Sequence, residues 1–438
     1  MEKRTKRALA GLAAGALAVT LVGCSGGGDS GAPASIDPDK PIELTLGGWG
    51  GDPVSNFQML ADAFSEEHPN VTITLKEYSA TDYDTQLTAD MSAGAAPDVF
   101  ALKAFNSYYF YATNGQLLDV SDVAQTFDGD ENVDLGDMVI DGTTYAMPYR
   151  QDKWVLYYNK ALLEQAGVAA PDGSWTWDDF VANSKTVTDK VGGDVKGTYL
   201  HTWSNVVQGP AMAQTEGATD QYLAGDFSYL KPYYERDLEL QDAGATIDYS
   251  TAQSQTLNYW SLFGSQKVAL LPMGSFYVST LLADQASGTA EDFDWGIAPM
   301  PAADADSVGE NITNGGPTVF AANANIDPDK EAAAKAFLEF ATGPQGALVT
   351  IDSGNVPAYH SSDVVDAYFD RDGMPTDDLS KSTMETSKAN LEAPLGETTA
   401  DIQTILKDLD SAIRTGSMSI DDAIAEAEST VKNDGLAK

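Results

Sequence analysis

Strand-like and helix-like segments alternate in the first part of the chain, and this alternation restricts the fold more than any other feature. Apolar and polar residues alternate at 42–46 and at 71–75, as half-buried strands require. Residues 57–64 carry apolar side chains at helical spacing, and a second helical stretch ends at Gly94, before the apolar run 98–102. This β-α-β-α-β order predicts a largely parallel sheet covered by helices, and so an α/β fold.

The same order indicates where a ligand would bind. In open α/β sheets, ligands lie beyond the carboxyl ends of the strands. Trp49, in the glycine-rich segment 47–51, and the residues after Leu102 would lie there. Later patterns predict a helix capped by Thr176, strands at 154–158, 268–272 and 295–298, and helices at 160–166, 329–341, 399–414 and 419–432.

Length and charge narrow the classes of function. A chain of 438 residues exceeds one core of ordinary size, so two domains are expected, and a hydrophobic fraction of 43% is typical of globular proteins. The formal net charge is −41. Such a chain should bind neither nucleic acid nor an anionic membrane surface. The charge favours a neutral or cationic solute, although solubility alone would also explain it.

Residues 1–23 have the pattern of a secretory signal. Four basic residues precede an uncharged apolar run shorter than the roughly 20 residues of a membrane helix. The run ends in Leu-Val-Gly-Cys, which resembles a bacterial lipobox and implies that Cys24 becomes a lipidated N-terminus; an ordinary secretory signal is the alternative. Cys24 is the only cysteine, and residues 24–40 predict a flexible tether. Removal of 1–23 leaves 21 basic and 65 acidic residues, a formal charge of −44.

Eight short segments carry a resemblance to a known family. They are LGGWG at 46–50, FSEEHPNV at 64–71, AGAAPDVF at 93–100, YAMPY at 145–149, LYYNK at 156–160, QAGV at 165–168 leading to WTWDDF at 175–180, WGIAPMP at 295–301, and AFLEF at 336–340. Each is weak alone. Together and in this order they resemble the family-1 extracellular solute-binding proteins, the group that includes the maltose-binding protein. The similarity runs from about residue 41 to the C-terminus.

The resemblance implies a fold of two α/β lobes, each a sheet flanked by helices, joined by a hinge of three crossings. It assigns 41–151 and 318–357 to the N-terminal lobe, and 152–317 and 358–438 to the C-terminal lobe. In function it implies a monomeric, extracytoplasmic, lipid-anchored protein without a cofactor. Such a protein captures a carbohydrate, most suitably an oligosaccharide, by closing its lobes and delivers it to the permease of an ABC importer.

The hinge supplies the first group of expected ligand contacts. By resemblance, Asp152 is a cleft carboxylate, and carboxylates make strong charge-assisted hydrogen bonds to sugar hydroxyls. Its alternative is a salt bridge with Arg150 or Lys153. Tyr149 and Trp154 flank Asp152 as further candidates, although Trp154 could equally begin the core of the next strand.

The N-terminal lobe offers a second group. Trp49 sits in a glycine-rich loop, where a flat indole could stack on a pyranose or pack on a neighbouring loop. By resemblance, Lys103, Phe105 and Asn106 line the cleft after the strand that ends at Leu102.

The remaining candidates follow from the resemblance alone. Phe276 matches a stacking aromatic, and Gly274 would let the backbone approach the ligand. Gly315 and Gly316 resemble a backbone contact at the second hinge crossing. Trp203 lies in a region where the family offers aromatics. The other tryptophans are expected to be structural, and they are Trp175, Trp177, Trp260 and Trp295.

Catalysis and metal binding find little support in the sequence. The three histidines are far apart, and Asp128, Asp130 and Asn132 resemble a calcium loop whose glycine position holds Val133. A secreted glycoside hydrolase with two carboxylates stays open as an alternative, because acids are abundant. A binder of a cationic solute, such as a polyamine, is the other alternative.

Overall fold

The computed structural model describes residues 36–50, 55–80, 82–103 and 105–438. The strands are β1 Ile42–Trp49, β2 Val71–Tyr78, β3 Val99–Leu102, β4 Val139–Ile140, β5 Thr143–Thr144, β6 Ala146–Asn159, β7 Lys196–Thr198, β8 Val268–Gly274, β9 Trp295–Ala298, β10 Ile312–Ala322 and β11 Lys388–Leu391. The signal, Cys24 and most of the tether expected from the sequence lie outside the described residues.

Eighteen α-helices surround these strands within the described ranges. They are α1 Asn56–Glu67, α2 Tyr83–Ala93, α3 Asn106–Thr113, α4 Ser121–Gln125, α5 Lys160–Ala166, α6 Trp177–Val191, α7 Asn205–Gln214, α8 Ala218–Ala224, α9 Lys231–Asp242, α10 Tyr249–Ser254, α11 Tyr259–Gly264, α12 Tyr277–Ser287, α13 Pro328–Thr342, α14 Pro344–Asp352, α15 Ser362–Phe369, α16 Asp378–Thr386, α17 Thr399–Arg414 and α18 Ile420–Asn433. Of these helices, none combines the length and the apolar character that crossing a bilayer requires.

The first lobe opens with the predicted β-α-β-α-β unit, and its strands are parallel. Leu46 of β1 pairs with Leu75 of β2 on one side and with Val99 of β3 on the other. Helix α1 begins where the Ser55 side chain accepts the Gln58 amide, and α2 ends at Gly94, whose φ of 67° suits glycine. The parallel arrangement predicted from the sequence is confirmed.

Two long strands connect the lobes. The sequence predicts a strand at 154–158, but the structure extends this strand back to Ala146 in the 14-residue β6. The first half of β6 pairs with β10, and the second half pairs with β8 and β9. A third crossing lies beside them, because Arg150 and Pro357 form a bridge.

Each lobe encloses its own hydrophobic core. The first-lobe core draws on β1, β3, β6, β10 and α13, while the large second core extends from Trp154 to Val431. Helix α14 contributes Ala347 and Ile351 to the second core, although the sequence assigns 318–357 to the first lobe. The exact lobe boundaries stay a prediction.

Of the four tryptophans that the sequence predicts to be structural, three pack in or against a core and one is exposed. Trp177 and Trp295 are buried and Trp175 packs against the second core, as predicted. The prediction for Trp260 is wrong, because 38% of this residue is exposed near the start of α11. An apolar neighbourhood in the sequence does not fix which face of a two-turn helix meets the core.

Candidate ligand-binding cleft

The carboxyl ends of strands from both lobes meet on one edge of β10. On that edge, β3 runs antiparallel and ends at Leu102 opposite Val319. Strand β11 runs parallel and ends at Leu391 opposite Gly315. The carboxyl ends of β3 and β11 therefore point towards each other. They are separated by four residues of β10, which is about 13 Å at roughly 3.3 Å per residue. This gap, between the residues that follow β3 and those that follow β11, is the candidate ligand-binding cleft.

Most of the sequence-predicted residues lie at strand ends on either side of β10 or in the hinge strands. Trp49 ends β1, and Lys103 and Phe105 follow β3. Gly274 ends β8, where it pairs with Trp154 of β6. The hinge residues complete the set, because Gly315 pairs with Lys153, and Gly316 pairs with Asp152.

Asp152 is held by protein partners on both of its oxygens. Arg150 donates to Oδ2 from Nε at 2.9 Å and from a terminal nitrogen at 2.8 Å. Ser275 donates its hydroxyl to Oδ1 at 3.0 Å. The salt bridge with Arg150 is the alternative that the sequence left open, and the structure contains it; a ligand contact at Asp152 stays a prediction. Asp152 therefore offers a ligand only part of its capacity to accept hydrogen bonds.

Trp49 packs on neighbouring rings, which is one of the two interpretations that the sequence left open, and stacking on a sugar stays a prediction. Its ring packs edge-on against Phe57 at 4.9 Å and Tyr83 at 5.2 Å, and it stays partly exposed. Lys103 places its ammonium 5.4 Å from the indole centroid while donating to the Ala80 carbonyl at 2.8 Å. Phe105 stacks on Tyr108 with centroids 5.4 Å apart. The side chain of Asn106 lies outside the described part of the structure.

The second lobe presents a cluster of aromatic rings. Trp203, 42% exposed, follows β7, and its centroid lies 6.3 Å from Phe276 and 5.7 Å from Tyr259. Gly274 is required beside Phe276, because a Cβ on Gly274 would lie 2.1 Å from that ring. Flat exposed rings of this kind suit the C–H face of a sugar, and a ligand contact at Trp203 and Phe276 stays a prediction.

Two of the predicted contacts are buried. Tyr149 stacks on Phe320 with centroids 4.1 Å apart, inside the first-lobe core. Trp154 belongs to the second core, and its indole Nε1 donates to Glu392 at 2.9 Å. Both side chains therefore belong to the hydrophobic cores that lie next to the hinge.

Glu392 is a candidate that sequence reasoning missed. It follows β11 and accepts hydrogen bonds from Trp154, Asn205 and Asn314. Burial raises the pKa of Glu392, and the charge of Asp152 adds to that effect, while the three donors act against it. The sequence gives one indication of such a role, which is that Glu392 is an acidic residue within the otherwise apolar stretch that leads to Pro394.

His201, beside Trp203, gives the second lobe a pH-dependent stability. Burial, with a smaller contribution from Arg414, lowers the pKa of His201 to about 4 from 6.5. The unfolded chain therefore takes up a proton first, so stability present above pH 6.5 is lost as the pH falls towards 4. We expect a loss of about 2 kcal/mol by pH 5, at 1.36 kcal/mol per pKa unit.

The measurement is urea unfolding at pH 7 and pH 5 for the wild type and for His201→Gln. The wild type should lose more stability than the variant over this interval. Asp410, whose pKa burial raises to about 6, contributes the opposite slope in both proteins and cancels. Equal losses in both proteins would contradict the assignment.

No group of three or more His, Cys, Asp or Glu side chains among the described residues is placed to hold a metal ion. Two α/β lobes joined by three crossings are the fold of a two-lobe solute-binding protein. The chain belongs to the bacterial extracellular solute-binding protein family, whose model matches residues 48–348. The family and fold class predicted from the sequence are thereby confirmed.

Several known proteins are similar to this one over most of the chain. A sugar transporter from Rhizobium etli, crystallised in an open conformation, is 30% identical and superposes with a TM-score of 0.79, covering 89% of this chain and 99% of its own. The melibiose/raffinose/stachyose-binding protein of Bacillus subtilis is 25% identical over 352 residues, 73% of this chain and 78% of that protein. An ABC substrate-binding protein from Listeria monocytogenes in complex with cycloalternan shares the fold, with a TM-score of 0.75, 20% identity and coverage of 91% and 100%.

Proposed function

We propose that the protein captures a neutral oligosaccharide in its cleft and delivers it to the permease of an ABC importer, without catalysis. The observation that carries this proposal is that aromatic rings lie close to a carboxylate of the hinge. Trp203 lies 6.3 Å from Phe276, and Ser275, next to Phe276, donates to Asp152. Flat rings bind the apolar faces of sugars, and ionised carboxylates accept from their hydroxyls. The ligand named for the Bacillus subtilis relative supports a neutral oligosaccharide.

The test is a thermal shift of residues 40–438 with raffinose, stachyose, maltotriose, lactose and spermidine. Ligand binding to the native state raises the melting temperature by mass action. A rise with one of the neutral sugars supports the proposal. A rise with spermidine alone would replace it with a cation binder, and breakdown of a sugar would favour a hydrolase.

Trp203 should be a main determinant of sugar affinity. Because its exposed ring is free to stack on a pyranose, Trp203→Ala is expected to weaken the sugar found by thermal shift at least tenfold, or about 1.4 kcal/mol. Isothermal titration calorimetry measures the change.

Trp260→Ala is the matched control, because Trp260 is similarly exposed but lies on α11 and does not follow a strand end. It should keep wild-type affinity. Equal weakening in both variants would show that Trp203 has no particular part in binding.

We further propose that the mature chain begins at a lipid-modified Cys24 on the outer face of the cell membrane. The lipobox-like residues 21–24 and the polar stretch after them support this location. Labelling of cells with radioactive palmitate tests it. The wild type should be labelled and membrane-bound, whereas Cys24→Ala should be neither, and an unlabelled wild type would refute the anchor.

A further inference from the structure

Glu392 lies at the carboxyl end of β11, where that strand faces β3 across the exposed part of β10. Leu391, the residue before it, pairs with Gly315 and reaches to within 4.0 Å of a Cβ built on Gly316. Three residues further on, Leu395 packs against the first-lobe cluster that contains Phe105 and Tyr108. The segment that begins with Glu392 therefore spans from one lobe to the other along the cleft.

The carboxylate of Glu392 is oriented by neutral donors. Its Oε1 accepts from Trp154 Nε1 at 2.9 Å, from Asn205 Nδ2 at 3.1 Å and from Asn314 Nδ2 at 3.1 Å. Among the residues that the structure describes, its Oε2 accepts from Asn205 Nδ2 alone, at 3.1 Å. An ionised carboxylate accepts about four hydrogen bonds, so Oε1 is saturated and Oε2 keeps the capacity to accept another. The residue as a whole is partly exposed.

The two asparagines are arranged for this carboxylate at the expense of their own oxygens. Asn314 is fully buried, and its Oδ1 has no hydrogen-bond partner in the described part of the chain. The Oδ1 atom of Asn205 is likewise buried and unpaired there. Unpaired buried acceptors are unfavourable, so each one calls for an explanation. Here both amides turn their Nδ2 donors, and not their oxygens, towards Glu392.

The comparison with Asp152 decides which of the two carboxylates serves the ligand. Asp152 shares its charge with Arg150 at 2.8 Å. Within the described ranges, Glu392 has no cationic partner within salt-bridge distance. A preorganised carboxylate whose charge is not neutralised makes the stronger hydrogen bond to a hydroxyl.

We propose that Glu392 is the principal polar specificity residue of the cleft and selects ligands that present hydroxyl donors while rejecting sugars that carry a carboxylate. This inference rests on the proposed function and refines it. A neutral oligosaccharide offers hydroxyls to Oε2. A uronic acid would place a second anion against a carboxylate that no cation offsets, which like-charge repulsion opposes.

The first experiment measures affinity by calorimetry for the wild type, Glu392→Gln, Asp152→Asn and Glu397→Gln. The probe is the neutral sugar, among raffinose, stachyose, maltotriose and lactose, that raises the wild-type melting temperature most. Glu392→Gln should lose at least tenfold in affinity, because the amide nitrogen that replaces Oε2 is a donor and cannot accept from a sugar hydroxyl, and Asp152→Asn should lose less. Glu397→Gln is the matched control, an exposed glutamate on the same segment, and should bind as the wild type does.

Circular dichroism melting without ligand separates loss of binding from loss of folding. Glu392→Gln that melts within a few degrees of the wild type but binds tenfold more weakly supports the assignment. If Glu392→Gln does not fold, Asn314→Asp supplies the second test, because a carboxylate facing Glu392 should also abolish sugar binding. Wild-type affinity in either variant would overturn the assignment.

The second experiment compares α-1,4-galactotriose with α-1,4-trigalacturonate by thermal shift. A shift with the neutral trisaccharide alone supports rejection of uronic acids, and equal shifts with both would overturn it. If none of the neutral sugars affects the wild type, the proposed function itself fails. A sugar that binds the wild type and Glu392→Gln equally refutes only the role of Glu392.

Discussion

Replacing Arg414 with Met is expected to lower the free energy of unfolding by about 3–5 kcal/mol, the largest single effect on stability that the structure predicts. Arg414 is 1% exposed by its side chain and donates to Asp237 at 3.3 Å. It lies 3.6 Å from Asp410 and also donates to the backbone carbonyls of Leu200 and His201. Removal of the guanidinium leaves two buried carboxylates without their cation, which is why the loss is large.

Urea unfolding, followed by circular dichroism, measures this loss. Lys231→Met is the matched control, because Lys231 pairs with Asp421 at 2.6 Å on the exposed surface. Exposed pairs contribute about 0–1 kcal/mol, so the control should change little. Equal stability of Arg414→Met and the wild type would show that the buried network does not hold the second lobe together.

Replacing Gly315 with Ala is expected to have the second largest effect, about 2–3 kcal/mol, and to disturb the hinge. A Cβ on Gly315 would lie 2.2 Å from the carbonyl oxygen of Asp152, which belongs to the paired strand. Because the clash is with backbone, no side-chain rotation relieves it. Strands β6 and β10 must then separate at the point where they cross between the lobes.

Gly316→Ala is the control one residue away. Its nearest neighbour, Leu391 Cδ2, would be 4.0 Å from the new Cβ, so stability should change by less than about 1 kcal/mol. Thermal melting of the two variants without ligand measures the difference. Comparable melting temperatures would mean that the hinge strands adjust around Gly315 without loss.

Local patterns were enough to predict much of the fold. Helix α5 and strand β9 begin and end at the predicted residues, and Thr176 forms the expected cap with Asp179. These features depend on hydrophobic periodicity and on hydrogen bonds over three or four residues. The continuity of β6 was not predicted, because the polar residues 150–153 interrupt its apolar pattern, and it is the pairing with β10 that keeps them extended.

The candidate cleft could be predicted only in part. Trp49, Asp152 and Phe276 follow strand ends or lie in the hinge, so position in the pattern was informative. Glu392 could not be found in this way, because its donors Trp154, Asn205 and Asn314 lie 238, 187 and 78 residues away in the sequence. The exposure of Trp260 could not be predicted either, because tertiary packing decides which face of α11 is buried.

The position of β10 in the sheet has a consequence for the order of folding. This strand lies between β3 and β6, yet it is made 153 residues after the end of β6, counting from Asn159 to Ile312. The first lobe therefore cannot complete its sheet until nearly three quarters of the chain has been synthesised. Until β10 emerges from the ribosome, the edge of β3 that it covers has no partner, so this lobe is completed late in synthesis.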